Sequence, residues 1–286
     1  MNRHHGWRVA LTSIGIAGIM LGSLAPAGAE DKKEIPDHMG FQSCQACHAE
    51  QQRMWEASNH GQAIRQTASH NPAAADCSGC HSTARSETGQ VDSTKQESFH
   101  GASCLACHSR QKTAYEHRLA VDPEKLCTLC HFQGSVFLGV GAKGVDDSRN
   151  FHSGVPCFSC HMTEGNHQMK VLRPDSPELT GTRQDTCTAC HRDNNRESRV
   201  RQIHEWQSTY DENLAPLRAD VKTIEEALKK NPNLLNASLQ SKFGDVKANL
   251  AILEKDGSRG FHNFVFSLEI TSQAASDLKE IKAAMK

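Results

Sequence analysis

Cys44-Gln-Ala-Cys47-His48, Cys77-Ser-Gly-Cys80-His81, Cys104-Leu-Ala-Cys107-His108, Cys127-Thr-Leu-Cys130-His131, Cys157-Phe-Ser-Cys160-His161 and Cys187-Thr-Ala-Cys190-His191 repeat one pattern six times. Together they use all 12 cysteines of the chain. With 17 histidines among 286 residues, a histidine directly behind every pair is part of the device and not chance. Paired cysteines of this spacing serve zinc ribbons, redox disulfides or covalent haem attachment. Zinc has no use for an invariable histidine behind the second cysteine. A thioredoxin-type pair comes once, near a βαβ pattern, and six copies in a strand-poor chain do not fit it. Haem c uses all three residues: two thioethers anchor the vinyl groups, and the adjacent histidine reaches the iron from the same helical turn. The pattern therefore implies six covalently attached haem c groups. The twelve cysteines are their anchors, and His48, His81, His108, His131, His161 and His191 are the proximal ligands.

The sixth coordination position separates an electron conductor from an enzyme, because an iron with two protein ligands has no opening for substrate. Outside the motifs and the first 30 residues the histidines are His38, His60, His70, His100, His117, His152, His167, His204 and His262, nine candidates for six irons. Spacing alone favours His100, four residues before Cys104, and His152, five before Cys157. Met39, Met54, Met162 and Met169 could also ligate, although methionine beside a haem more often packs. His204 lies on an apolar-flanked helix near Trp206, where a buried structural histidine is the competing reading.

The elements that must position these groups are short helices at the attachment sites. Between them lie segments rich in Gly, Pro, Ser, Asp, Asn and Thr, at intervals too uneven for a solenoid repeat. Aromatic residues are 5% of the chain and its protein core is thin. Six porphyrins would supply the missing apolar mass, and the chain without them is expected to be largely unfolded. The expected fold is mainly α with extensive loops: a haem lobe over residues 30–195, then a long-helix bundle over 196–286. In the tail, Val200, Ile203, Trp206, Tyr210, Leu214, Leu217, Val221, Ile224 and Leu228 step by three or four, predicting one amphipathic helix with a bend at Pro216. Asn231-Pro232-Asn233 breaks it. Leu239, Phe243, Val246, Leu250 and Leu253 predict a second helix ended by Asp256-Gly257, and a third runs from about Asn263 to Ala284. These stripes can bury one another or present a face to a second subunit.

Residues 1–29 read as a cleaved signal peptide: a basic start, an apolar run over 9–24 and the small-residue site Ala27-Gly28-Ala29. The run is shorter than the roughly 20 residues a spanning helix needs, and no second one follows, so the mature chain should have no membrane span and be periplasmic or secreted. The formal net charge of −1 gives no basic excess for nucleic acid.

Two stretches resemble known multihaem cytochromes. Cys44-Gln-Ala-Cys47-His48 followed by Trp55-x-x-Ser58-x-His60 resembles the opening of cytochrome c554 and of decahaem electron-transfer cytochromes, where that histidine ligates a haem. From His152-Ser-Gly-Val-Pro-Cys157 through His167 and Cys187 to His191 the chain resembles the last two haem segments of ammonia-forming cytochrome c nitrite reductases. Gly260-Phe261-His262-Asn263 looks like that family's ligand motif ahead of its final helix. The resemblance implies His167 and His262 as distal ligands and the long helices as a homodimer contact. The full distal set is then His60, His100, His117, His152, His167 and His262, with His38, His70 and His204 in reserve. That family carries its catalytic haem on Cys-x-x-Cys-Lys, which is absent here, so no catalytic residue is carried over.

Two functional classes follow. One is a carrier passing electrons between a membrane quinol dehydrogenase and a terminal reductase or outer-membrane conduit. The other is a small reductase of nitrite, hydroxylamine or tetrathionate with one open iron.

Overall fold

The computed structural model describes residues 42–63, 78–81, 102–109, 111–131, 134–180, 184–192 and 195–285. The expected signal peptide, His38, His70, Cys77 and His100 lie outside the described residues. Regular structure among the described residues is helical, and an isolated antiparallel bridge between His108 and Leu119 is the extent of β pairing there. No described helix is long and apolar enough to cross a membrane.

Three long helices carry the packed core. Helix α1 spans Arg196–Lys230, α2 Ala237–Asp256 and α3 Phe264–Ala284. Each starts on an asparagine whose side-chain oxygen accepts a main-chain N–H of the first turn: Asn195 from Ser198 at 2.7 Å, Asn236 from Leu239 at 3.0 Å and Asn263 from Phe266 at 3.1 Å. Such caps satisfy donors that the helix itself cannot, each worth about 1 kcal/mol. Helix α1 runs as one element through Pro216 and stops at Asn231, before Pro232. Gly257 ends α2 in the left-handed conformation, φ 69°, which an L side chain rarely adopts.

The stripes read from the sequence face one another. Tyr210, Leu214, Leu217 and Ile224 of α1 meet Phe243, Val246, Leu250 and Leu253 of α2 and Phe266, Ile270, Ala274, Leu278 and Ile281 of α3. Burying a side chain of this size stabilises by about 1.5–3 kcal/mol, so this contact dominates the bundle. Ion pairs such as Arg218–Glu254 at 2.7 Å and Lys282–Asp220 at 2.6 Å lie on its exposed rim.

The motif-bearing region is joined to the bundle by chain that enters its core. Val136, on the short helix Gly134–Leu138, is fully buried against the bundle, with Ala142 and Val145 packed beside it. The Asn249 side chain accepts from the Lys143 N–H at 2.7 Å and donates to its carbonyl at 2.8 Å.

Candidate functional site

Each motif whose residues are all described folds as a single helical turn. The histidine N–H donates to the carbonyl of the first cysteine in Cys44–His48 (2.8 Å), Cys104–His108 (2.8 Å), Cys127–His131 (2.9 Å) and Cys187–His191 (2.8 Å). That closure puts positions i, i+3 and i+4 on one face, so both thiols and the imidazole point the same way. None of the described cysteines is in a disulfide, and none is buried.

Opposite four motif histidines stands a histidine from elsewhere in the chain. His60 faces His131 with ring centres 5.5 Å apart and Nε2 atoms 3.3 Å apart. His167 faces His108 at 6.3 Å, His152 faces His191 at 5.9 Å, and His262 faces His161 at 6.1 Å. Two imidazoles sharing one metal at about 2 Å each have ring nitrogens about 4 Å apart and ring centres about 6 Å apart. The ring-centre separations of the four pairs, 5.5–6.3 Å, lie near that value, while the His60 and His131 Nε2 atoms stand closer than a shared metal would hold them. Among the described residues no three His, Cys, Asp or Glu side chains converge on a metal-sized site. Paired donors facing each other across a gap suit a metal that brings its remaining donors in a plane, as a porphyrin does.

The electrostatics favour neutral rings, the form that binds a metal. Burial, then the charges of His131 and His81, lowers the pKa of His60. Burial is also the first cause for His108, His152 and His161, reinforced by His167, His191 and His262 in turn. His262 moves the other way: burial pulls its pKa down, but the hydrogen bond and charge of Asp256 outweigh it and raise the value.

Behind the facing nitrogens, the other ring nitrogen is often fixed. His108 Nδ1 donates to the His117 carbonyl at 2.8 Å, His167 Nδ1 to Gly165 at 2.7 Å, and His161 to the carbonyl of Met169. His117 and Met169 take left-handed backbone conformations, φ 54° and 55°, to present those carbonyls. For a non-glycine residue this costs on the order of 1–3 kcal/mol, strain of a kind that clusters at functional sites. His117 thus takes part in this arrangement through its main chain. His204, a reserve candidate, is exposed and bonds Asp175 Oδ2 at 3.0 Å.

Local sequence explains how His60 is held. Trp55 is buried and its indole N–H donates to the Ala102 carbonyl at 2.6 Å, tying helix Ala49–Glu56 to the chain just before Cys104. Ser58 Oγ accepts the Gly61 N–H at 3.1 Å and so caps the turn that carries His60. A Cβ on Gly61 would lie 2.4 Å from the Trp55 carbonyl oxygen, so only glycine fits there. The sixth motif is secured by residues that motif reading passed over. Asp185 accepts the N–H groups of Cys187 (2.9 Å) and Thr188 (3.1 Å), and its other oxygen pairs with Arg199 of α1 at 3.0 Å, both side chains being buried. An aspartate two residues before the first cysteine is the N-cap signal that could have found it.

Neighbouring thiols give the motifs an order in space. Cys44 of the first motif lies beside Cys104 of the third, and Cys107 of the third lies within electrostatic reach of Cys127 and Cys130 of the fourth. Cys130 also lies beside Cys80 of the second, while Cys127 lies beside Cys157 of the fifth. Cys160 of the fifth motif lies within reach of Cys190 of the sixth. The path runs first, third, fourth, fifth, sixth, with the second beside the fourth.

Residues 43–109 match the family described as cytochrome c554 and c-prime. No curated protein matches the chain. Among solved structures, the outer cell wall cytochrome OcwA superposes with a TM-score of 0.67 at 24% identity, covering 80% of this chain and 50% of that one. The undecahaem cytochrome from the S-layer of Carboxydothermus ferrireducens gives 0.58 at 20% identity, covering 78% of this chain and 40% of that one. The chain spans half or less of the length of either protein, and shares with them the multihaem cytochrome fold.

Proposed function

We propose that the chain is an extracytoplasmic electron carrier that holds six haem c groups in close succession. The observation that carries this reading is the set of four facing histidine pairs, each joining one motif histidine to another histidine outside the motifs with ring centres 5.5–6.3 Å apart. Haem c supplies a one-electron iron couple when bound. The chain's own residues would anchor it through paired thiols and hold its iron between facing histidines at four sites, with ring orientation fixed through main-chain carbonyls. His100 and His117 complete the distal set for the first two motifs. An iron held between two histidines has no place for a substrate atom, and the four facing pairs favour transfer over reduction of an oxyanion.

The neighbouring thiols support one route along the motifs. Electrons enter or leave at the first and sixth motifs, and the fourth, with three neighbouring motifs, is a branch point from which the second forms a side exit. The partners are other redox proteins, with a quinol-linked donor at the membrane and a terminal reductase or outer-surface acceptor. The signal peptide is removed after Ala29, and the cell-wall and S-layer settings of the two similar cytochromes favour a place outside the cytoplasmic membrane. The exposed faces of α1 to α3 are the candidate homodimer contact.

Protein-film voltammetry of the haem-loaded protein tests the reading. Reversible waves that do not change with nitrite, hydroxylamine or tetrathionate are expected. A catalytic current with any of them would replace the carrier by the reductase.

A further inference from the structure

The second ring nitrogens of the facing histidines are not held alike. His108, His161 and His167 bond neutral main-chain carbonyls, whereas His262 Nδ1 bonds a carboxylate, Asp256 Oδ1, at 2.6 Å. Asp256 is the last residue of α2, and its side chain is 2% exposed. Its Oδ2 accepts the Ser258 N–H at 3.2 Å and the Ser258 hydroxyl, and that hydroxyl oxygen accepts the His262 N–H at 3.0 Å. Asn150 donates to the His262 carbonyl at 2.8 Å, so ring and main chain are both clamped. The nearest arginine in the loop, Arg259, is engaged by Asp211 at 3.2 Å. A negative charge is thus buried one hydrogen bond from a ring whose centre lies 6.1 Å from that of His161.

We propose that Asp256 is a positioning residue that makes His262 the strongest donor of the four, holding the fifth-motif iron at a lower reduction potential than a neutral acceptor would. The inference rests on the haem reading above. The carboxylate draws the Nδ1 proton toward itself, which raises the basicity of Nε2. In a site of low dielectric a fixed negative charge also favours the ferric over the ferrous iron. The fifth motif lies between the fourth and the sixth on the route, so a lowered potential there sets a step in the path between the branch point and one terminus.

The test uses the haem-loaded full chain and its Asp256→Asn variant, which keeps shape and an acceptor but removes the charge. Spectroelectrochemical titration should show one component shifted to more positive potential with the others unmoved. Near-infrared magnetic circular dichroism should show the charge-transfer band of one low-spin haem shifted. Asp256→Glu should lie nearer the wild type. Ser258→Ala takes a hydroxyl donor from the carboxylate and leaves more of its charge to His262, so the same component should move to more negative potential. An Asp256→Asn protein with every haem low spin and no component moved overturns the proposal. Conversion of one haem to high spin in that variant would also overturn it, making Asp256 a latch without tuning. His262→Ala separates this from the underlying reading: if no iron turns high spin there, the ligand assignment fails.

Discussion

The two regions of the molecule are built on different physics. From 195 to 285 a continuous set of buried apolar side chains runs through α1, α2 and α3. Among the described residues from 42 to 192 the buried apolar side chains beyond Val136 are scattered ones, Trp55, Ala63, Leu119, Leu126, Leu172 and Pro174. The described cysteines are half-buried or exposed, although cysteine is normally among the most buried residue types. The bundle can hold itself together through its own side chains. The motif region is ordered instead by turns, caps and a few anchors, with its apolar mass assigned to the haems. Where a protein spends its hydrophobic residues shows which part depends on a cofactor.

That contrast can be broken in several ways. The largest effect is expected from full chain expressed without haem attachment: slow amide exchange should survive in 196–285 and disappear from 42–131. Equal protection in both would erase the distinction. Within the bundle, Phe266→Ala should cost about 3–5 kcal/mol in denaturant unfolding, because its ring is fully buried at the centre of the contact. A comparable loss, about 3–5 kcal/mol, is expected for Arg199→Ala, which leaves the buried Asp185 charge unpaired at the seam between the regions.

The same pair fixes a pH dependence. Burial raises the Asp185 pKa, but bonds from Thr188 and Arg199 outweigh it and the native value is lowered. Its contribution is therefore complete above the unfolded carboxylate value, about 3.9, and is lost as pH falls through the lower native value. Asp185→Asn should remove that acid-limb slope in unfolding curves taken between pH 5 and 2. The smallest effect belongs to the rim: Lys282→Ala should change stability by at most about 1 kcal/mol, and less in high salt.

Much of this was legible in the sequence, unequally in the two regions. The helix limits at Asn231, Gly257 and Asn263 followed from local breakers and stripes, whereas the caps Asn195 and Asn236 were passed over. The motif turns were equally plain. Which histidine faces which motif was not legible, since His60 and His131 are far apart in sequence and meet only through the tertiary path. The expectation of a bend at Pro216 met a single unbroken helix. Asp256 and Asp185 were missed because a carboxylate near a ligand looks like any surface acid until its burial is known.

The central claim is that facing histidines hold irons. The direct measurement is low-temperature electron paramagnetic resonance of the oxidised haem-loaded protein and of His60→Ala, His152→Ala, His167→Ala and His262→Ala, with signals integrated by spin state. The account predicts that each variant keeps six haems and converts one low-spin iron to high spin. Unchanged low-spin intensity across the four variants would contradict it.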